Sequence, residues 1–214
     1  MKYNNKQTSL HTIAFILLFT FSSWSEAKMD ISHHWSGAIV YSMLDNMGSG
    51  VPVSKCHILT NEHVVRGSPQ ISVYINHKHY LGYVAAIDHD NDMALIKLLG
   101  CPLRKFAKLA PYPPAKGEIL TSVYYKPGIN VFDKVTRTQG EFVGFERIIT
   151  EEDKAMYSMV INDPIPQKRA SGGGIVSNLG LVSVIFGIAP LQEKPTTYAV
   201  SYFALREFLL SNRL

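Results

Sequence analysis

Cysteine is scarce in this sequence: Cys56 and Cys101 are the only two among 214 residues, which excludes a small scaffold held together by many disulfides. No apolar run is long enough to span a bilayer comfortably; the longest candidate is "TIAFILLFTF", Thr12 to Phe21, about half the length a membrane helix needs. Charged residues make up only 18% of the chain, and Lys and Arg are scattered, as in "RKFAK" and "QKR", rather than striped between aromatics. Nucleic acid is therefore not an expected partner. The histidines of "HKH" (His77, His79) and the pair His33, His34 lack third and fourth ligands at zinc spacing, so no metal site and no cofactor is expected. There is no internal repeat and no low-complexity segment, which removes solenoids and fibrous arrays from consideration.

What is present is a foldable composition, 46% hydrophobic, preceded by an export signature. Lys2 and Lys6 stand before the apolar stretch, and "SSWSEA" follows it with Ser25 and Ala27 at the small-residue positions that signal peptidase requires. Residues 1–27 read as a secretory signal peptide and 28–214 as the mature domain. The mature chain keeps 19 Lys+Arg against 16 Asp+Glu, a net +3. A periplasmic or extracellular location is expected, with no membrane anchor after cleavage and a monomer favoured. In that setting the two cysteines either bridge or remain as buried thiols.

From Ser36 onward, short runs rich in β-branched and aromatic residues alternate with Gly, Pro, Asn and Asp: "GAIVYSM", "HILTN", "ISVYI", "YLGYVAAI", "MALIKLL", "ILTSVYY", "GEFVGF", "YSMVI", "GGIVS", "LVSVIFGI" and "TYAVS". About a dozen strands with no amphipathic helices between them predict an all-β sandwich or barrel. In the tail, Tyr202, Leu205, Phe208 and Leu209 fall on one helical face, predicting a closing helix. The proline-rich "APYPPAKGE" cannot continue a central strand and divides the runs into two groups, with a boundary near 108–118.

Hydrolysis of a peptide bond by a hydroxyl needs a base for its proton and a carboxylate to orient that base. His63 follows the strand-like "HILTNE". Asp92 immediately precedes "MALIKLL", while Asp88 and Asp90 are rival acids that would end a hairpin. Ser171 heads the glycine turn in "RASGGG". The order is His, Asp, Ser, spread over both strand groups.

These residues carry a resemblance. "GSGVPVSKCHILTNEHVV", "DHDNDMALIKL", "INDPIPQKRASGGGIVSNLGLVSVIFGI" and "TYAVSYFALREFLL" are similar, in order, to four motifs of the trypsin-like serine proteases, most of all the HtrA/Deg branch. The resemblance runs from about Gly48 to Leu210. It implies two six-stranded antiparallel β-barrels of the chymotrypsin-like fold with a C-terminal helix. It also implies His63 as base, Asp92 as its orienting acid and Ser171 as nucleophile, and a protein or peptide substrate. The backbone amides of Arg169 and Ser171 would form the oxyanion hole. Ile165, Pro166 and the strand Val184, Ile185, Phe186, Gly187 would line the primary specificity pocket, where no carboxylate stands and an apolar side chain is expected. Within the same resemblance Cys56 and Cys101 fall near each other on neighbouring strands, a possible disulfide. Leu214 follows soon after the closing helix, so no appended peptide-binding PDZ domain is expected.

The match breaks at one place. Relatives carry Gly-Asn before the serine, whereas this chain has Arg169 and Ala170, and Gly174 replaces a proline. A side chain at a position that favours φ > 0 costs about 1–2 kcal/mol. The turn is then active and strained, active only once substrate remodels it, or part of a protease-like module that binds peptides or adheres without cleaving.

Overall fold

The computed structural model describes residues 37–42, 46–125, 135–150, 155–163, 169–191 and 194–214. The export signature and the pocket residues Ile165 and Pro166 lie outside them. Among the described residues, twelve strands form two closed six-stranded antiparallel barrels. The first contains β1 (Ala38–Ser42), β2 (Met47–Pro52), β3 (His57–Thr60), β4 (Ile71–Ile75), β5 (Lys78–Asp88) and β6 (Met93–Leu98), and closes where β1 pairs with β4, Ile39 opposite Tyr74. The second contains β7 (Ile119–Tyr125), β8 (Val135–Ile149), β9 (Ala155–Asn162), β10 (Gly174–Ser177), β11 (Gly180–Leu191) and β12 (Lys194–Val200), and closes where β10 pairs with β7, Gly174 opposite Val123. The fold is chymotrypsin-like, as the resemblance implies, and all-β, as the strand pattern predicts.

Each barrel has its own apolar filling. Val40, Ile58, Val73, Ala94 and Ile96 fill the first, and Leu120, Phe142, Met159, Ile161 and Ile175 the second. A third cluster welds the two: Val51, Leu59, Met93 and Leu95 from the first barrel pack with Val123, Val176, Leu181, Val184 and Val200 from the second. The helix α2 (Tyr202–Ser211) buries Tyr202, Leu205, Phe208 and Leu209, the face its periodicity predicts, and three of these join the shared cluster. Residues 99–118 join the barrels and are stitched to both. The Ala107 amide donates to the Pro52 carbonyl (2.7 Å), and the Leu181 amide to the Lys108 carbonyl (2.8 Å). Because three apolar surfaces are buried at a common seam, sliding one barrel on the other exposes core, and groups at the seam keep fixed relative positions.

One strand escapes propensity reasoning. β2, "MGSGVP", contains two glycines where a strand normally wants bulk. A Cβ on Gly48 would come within 2.8 Å of the Ser171 carbonyl oxygen and 2.7 Å of Val64, and one on Gly50 within 2.6 Å of Ile58. The glycines are there because neighbouring side chains, and at Gly48 the Ser171 carbonyl as well, fill the space a Cβ would need.

Candidate active site

His63 lies in a one-turn helix, α1 (Glu62–Val65), that follows β3 directly. The turn between β5 and β6 delivers Asp92, whose φ of +50° lets it leave the hairpin just before Met93. The two meet closely. Asp92 Oδ1 accepts from the His63 amide at 2.9 Å, Oδ2 faces His63 Nδ1 at 2.7 Å, and the Asp92 carbonyl accepts from Asn61 Nδ2 at 2.8 Å. A carboxylate can only accept, so the Nδ1 proton is the one donated, and Nε2 is left with its lone pair outward. The His63 side chain is 41% exposed and Asp92 18%, so the base is reachable while the acid is largely screened.

The rival acid Asp88 is engaged otherwise. Its carboxylate caps the hairpin, accepting from the amides of Asp90 (3.1 Å) and Asn91 (3.0 Å) and from Asn91 Nδ2 (2.9 Å). Beside His63, the buried Glu62 receives Arg66 in a fork, Nε at 3.0 and 2.9 Å and Nη2 at 2.6 Å, and lies 3.5 Å from His89 Nδ1. His89 belongs to the turn that carries Asp92, so this pair braces α1 against that turn. Cys56 and Cys101 form a disulfide that ties the β2–β3 turn to the chain just beyond β6, the same two strands that end at His63 and begin at Asp92. Burial, and then the charge of Lys97, hold the neighbouring His57 imidazole below its usual range.

On the opposite side, Ser171 sits in a turn between Arg169 and β10. The Gly173 amide donates to the Ala170 carbonyl (2.8 Å), and the turn is sewn to β11 by Gly172 N to the Ile185 carbonyl (2.9 Å) and Ile185 N to the Gly173 carbonyl (2.8 Å). Gly172 has φ +86°, and a Cβ there would strike the Ser49 carbonyl at 2.0 Å, so only glycine fits. Arg169 has φ +83°, the left-handed conformation that a glycine would adopt without strain. The amides of Arg169 and Ser171 have no hydrogen-bond partner among the described residues. Burial raises the Tyr41 phenol above its usual range, and the nearby Arg169 guanidinium partly offsets this.

Ser171 Oγ makes no hydrogen bond to His63. It donates instead to the Phe186 carbonyl in a long, 3.5 Å contact. The two residues nevertheless share a seam, because Gly48 lies against both the Ser171 carbonyl and Val64, the neighbour of His63. Of the remaining predicted residues, Val184 and Ile185 are fully buried in core clusters and offer backbone only. Phe186 and Gly187 are partly exposed, and a Cβ on Gly187 would meet nothing within 4 Å. Asp163 is buried, and its Oδ2 accepts from Thr138 Oγ1 at 2.7 Å. Sequence reasoning missed Asn61, Thr60 and Ser49, whose roles depend on contacts across elements; the only local signal was that they lie inside quoted motifs.

The trypsin-like peptidase domain family matches residues 48–183, and the chain belongs to that family. No curated protein matches the sequence significantly. Among solved structures, the active form of the Rv3671c protease from M. tuberculosis has a TM-score of 0.71 at 21% identity, over 85% of this chain and 83% of that one. The MamO protease domain from Magnetospirillum magneticum has a TM-score of 0.64 at 18% identity, over 83% and 98%. The HtrA-type protease AlgW, solved with a decapeptide, has a TM-score of 0.67 at 16% identity, over 86% and 67%. At these identities the likeness is one of fold.

Proposed function

We propose that the protein is an exported serine endopeptidase in which Ser171 attacks the scissile carbonyl, His63 takes its proton and Asp92 orients His63. The observation that carries this reading is the double engagement of the Asp92 carboxylate by the His63 ring and amide, at 2.7 and 2.9 Å, across from a serine whose turn presents two unpartnered amides. A neutral His63 with its Nδ1 proton committed to Asp92 is a base at Nε2, and its cation is stabilised by the same carboxylate. The 3.5 Å contact to Phe186 is weak, so little opposes rotation of Ser171 Oγ toward Nε2. As Oγ bonds to the carbonyl carbon, the oxygen gains charge and accepts from the Arg169 and Ser171 amides. His63 then gives its proton to the leaving amine, and water hydrolyses the acyl-enzyme by the same relay.

Phe186 and Gly187, with Ile165 and Pro166, would receive an apolar side chain, since the strand Gly180–Leu191 carries no carboxylate to attract a cation. The disulfide supports an oxidising compartment, and cleavage after Ala27 would leave the N-terminus Lys28. The test is casein turnover by the purified protein beside Ser171→Ala and His63→Ala. The reading requires turnover that both changes abolish, and peptide-library cleavage after apolar residues. A folded protein that turns over no substrate would favour the noncatalytic binding module, and cleavage dominated by Lys or Arg would overturn the pocket assignment.

A further inference from the structure

Ser49 belongs to β2 of the first barrel, yet it holds the serine turn of the second at three points. Its amide donates to the Ser171 carbonyl at 2.7 Å. Its hydroxyl donates to the Arg169 carbonyl at 2.8 Å and accepts from the Tyr125 amide at 2.8 Å. Its carbonyl lies where only a glycine, Gly172, can pass, and accepts from Thr60 Oγ1 at 2.8 Å. Thr60 is three residues before His63, and both Thr60 and Ser49 are completely buried.

From this we infer that Ser49 is a positioning residue for the oxyanion donors: its hydroxyl fixes the Arg169–Ala170 peptide, the link between the two donor amides, in register with His63. The inference rests on the reading of Ser171 as nucleophile and goes beyond it. The Arg169–Ala170 peptide lies directly between the two N–H groups, so a rotation of that plane changes their separation and aim. Nothing else among the described residues bonds to the Arg169 carbonyl. Arg169 is held in a conformation its side chain disfavours, which gives the turn a reason to relax once the hydroxyl is gone. The Tyr125 amide, at the end of β7, would lose the Ser49 hydroxyl at the same time. Because the hydrogen bonds of Ser49 go to neither His63 nor Asp92, its loss should leave the acid–base pair alone and damage only the stabilisation of developing charge.

The experiment compares wild type, Ser49→Ala and Ser49→Cys, the last keeping the shape with a weak donor. Three quantities are read on one apolar peptide substrate: kcat, KM and the pH profile of kcat. Affinity is read for the matching peptide aldehyde, whose hemiacetal oxygen with Ser171 would occupy the donor site. Loss of one buried hydrogen bond predicts about a tenfold fall in kcat for Ser49→Ala. Aldehyde affinity should fall by the same factor, with KM and the pH profile unmoved, and Ser49→Cys should lie between. A folded Ser49→Ala with unchanged kcat, with the loss confined to KM, or with a shifted acidic limb overturns the inference alone. Should Ser49→Ala not fold, Ser49→Cys must still lower kcat and aldehyde affinity in parallel, or the inference fails. A wild-type protein inert to both substrate and aldehyde overturns the inference together with the protease reading.

Discussion

On the first-barrel side of the site, Asp92 is held at both carboxylate oxygens and at its carbonyl, α1 is braced through Glu62 and His89, and a disulfide clips the flanking strands. On the second-barrel side, Ser171 Oγ has one 3.5 Å contact and the turn before it runs through an arginine at φ +83°. The first side is set by strand ends whose hydrogen bonds are local to one barrel. The second is a turn that owes much of its shape to Ser49, across the seam. The lesson is that the His63–Asp92 pairing is intrinsic to one barrel, whereas the geometry of the Arg169–Ser171 turn is a property of how the two barrels meet.

The contrast can be broken most severely on its firm side. Asp92→Asn presents an amide where the carboxylate accepted two bonds, and the His63 tautomer inverts; kcat should fall by about 10⁴ with the fold retained, measured on an apolar peptide substrate. A loss smaller than tenfold would mean that His63 is oriented by something else. Next comes the disulfide. Replacing Cys56 and Cys101 by Ser frees a loop with a sequence separation of 45 and should cost about 2–4 kcal/mol of stability, read by denaturant unfolding under non-reducing conditions. An unchanged midpoint would show that the bond does not brace this side.

On the strained side the expected sign is reversed. Arg169→Gly relieves about 1–2 kcal/mol of left-handed strain and gives back about 0.4–1 kcal/mol through the freer unfolded chain. Stability should therefore rise by up to about 1.6 kcal/mol, a gain of up to about 3–6 °C in Tm, with kcat no lower than wild type. A lower Tm would mean that the turn is not strained. The smallest effect concerns pH. Burial keeps the folded His57 below the unfolded value of 6.5, so the unfolded chain binds the extra proton, and stability should decline as pH falls through 6.5 and level off below the folded value. His57→Gln should flatten that decline, as followed by thermal unfolding between pH 7.5 and 5.

How far the sequence carried can be read from particular residues. The buried face of α2 was legible because four apolar residues repeat at helical spacing, and the all-β class because about a dozen short β-branched runs follow one another; the division into two closed barrels came only from the resemblance. His63, Asp92 and Ser171 stood out because their flanks form motifs. β2 did not read as a strand from propensity, only from the resemblance, since Gly48 and Gly50 answer to Val64, Ser171 and Ile58 rather than to their own neighbours. The burial of Val184 and Ile185 was equally hidden, because β11 is covered on both faces, Val184 packing in the cluster shared by the barrels and Ile185 in the filling of the second. Ser49 looked like one more small residue in a glycine pair. Its hydroxyl matters only because residues 120 positions away fold against it.

The central claim, that Ser171 is an activated nucleophile, is tested most directly by fluorophosphonate labelling of the purified protein beside Ser171→Ala. The account predicts labelling of the wild-type chain at Ser171 and none of the variant. Labelling that persists in Ser171→Ala, or a folded wild-type protein that takes no label, would contradict it.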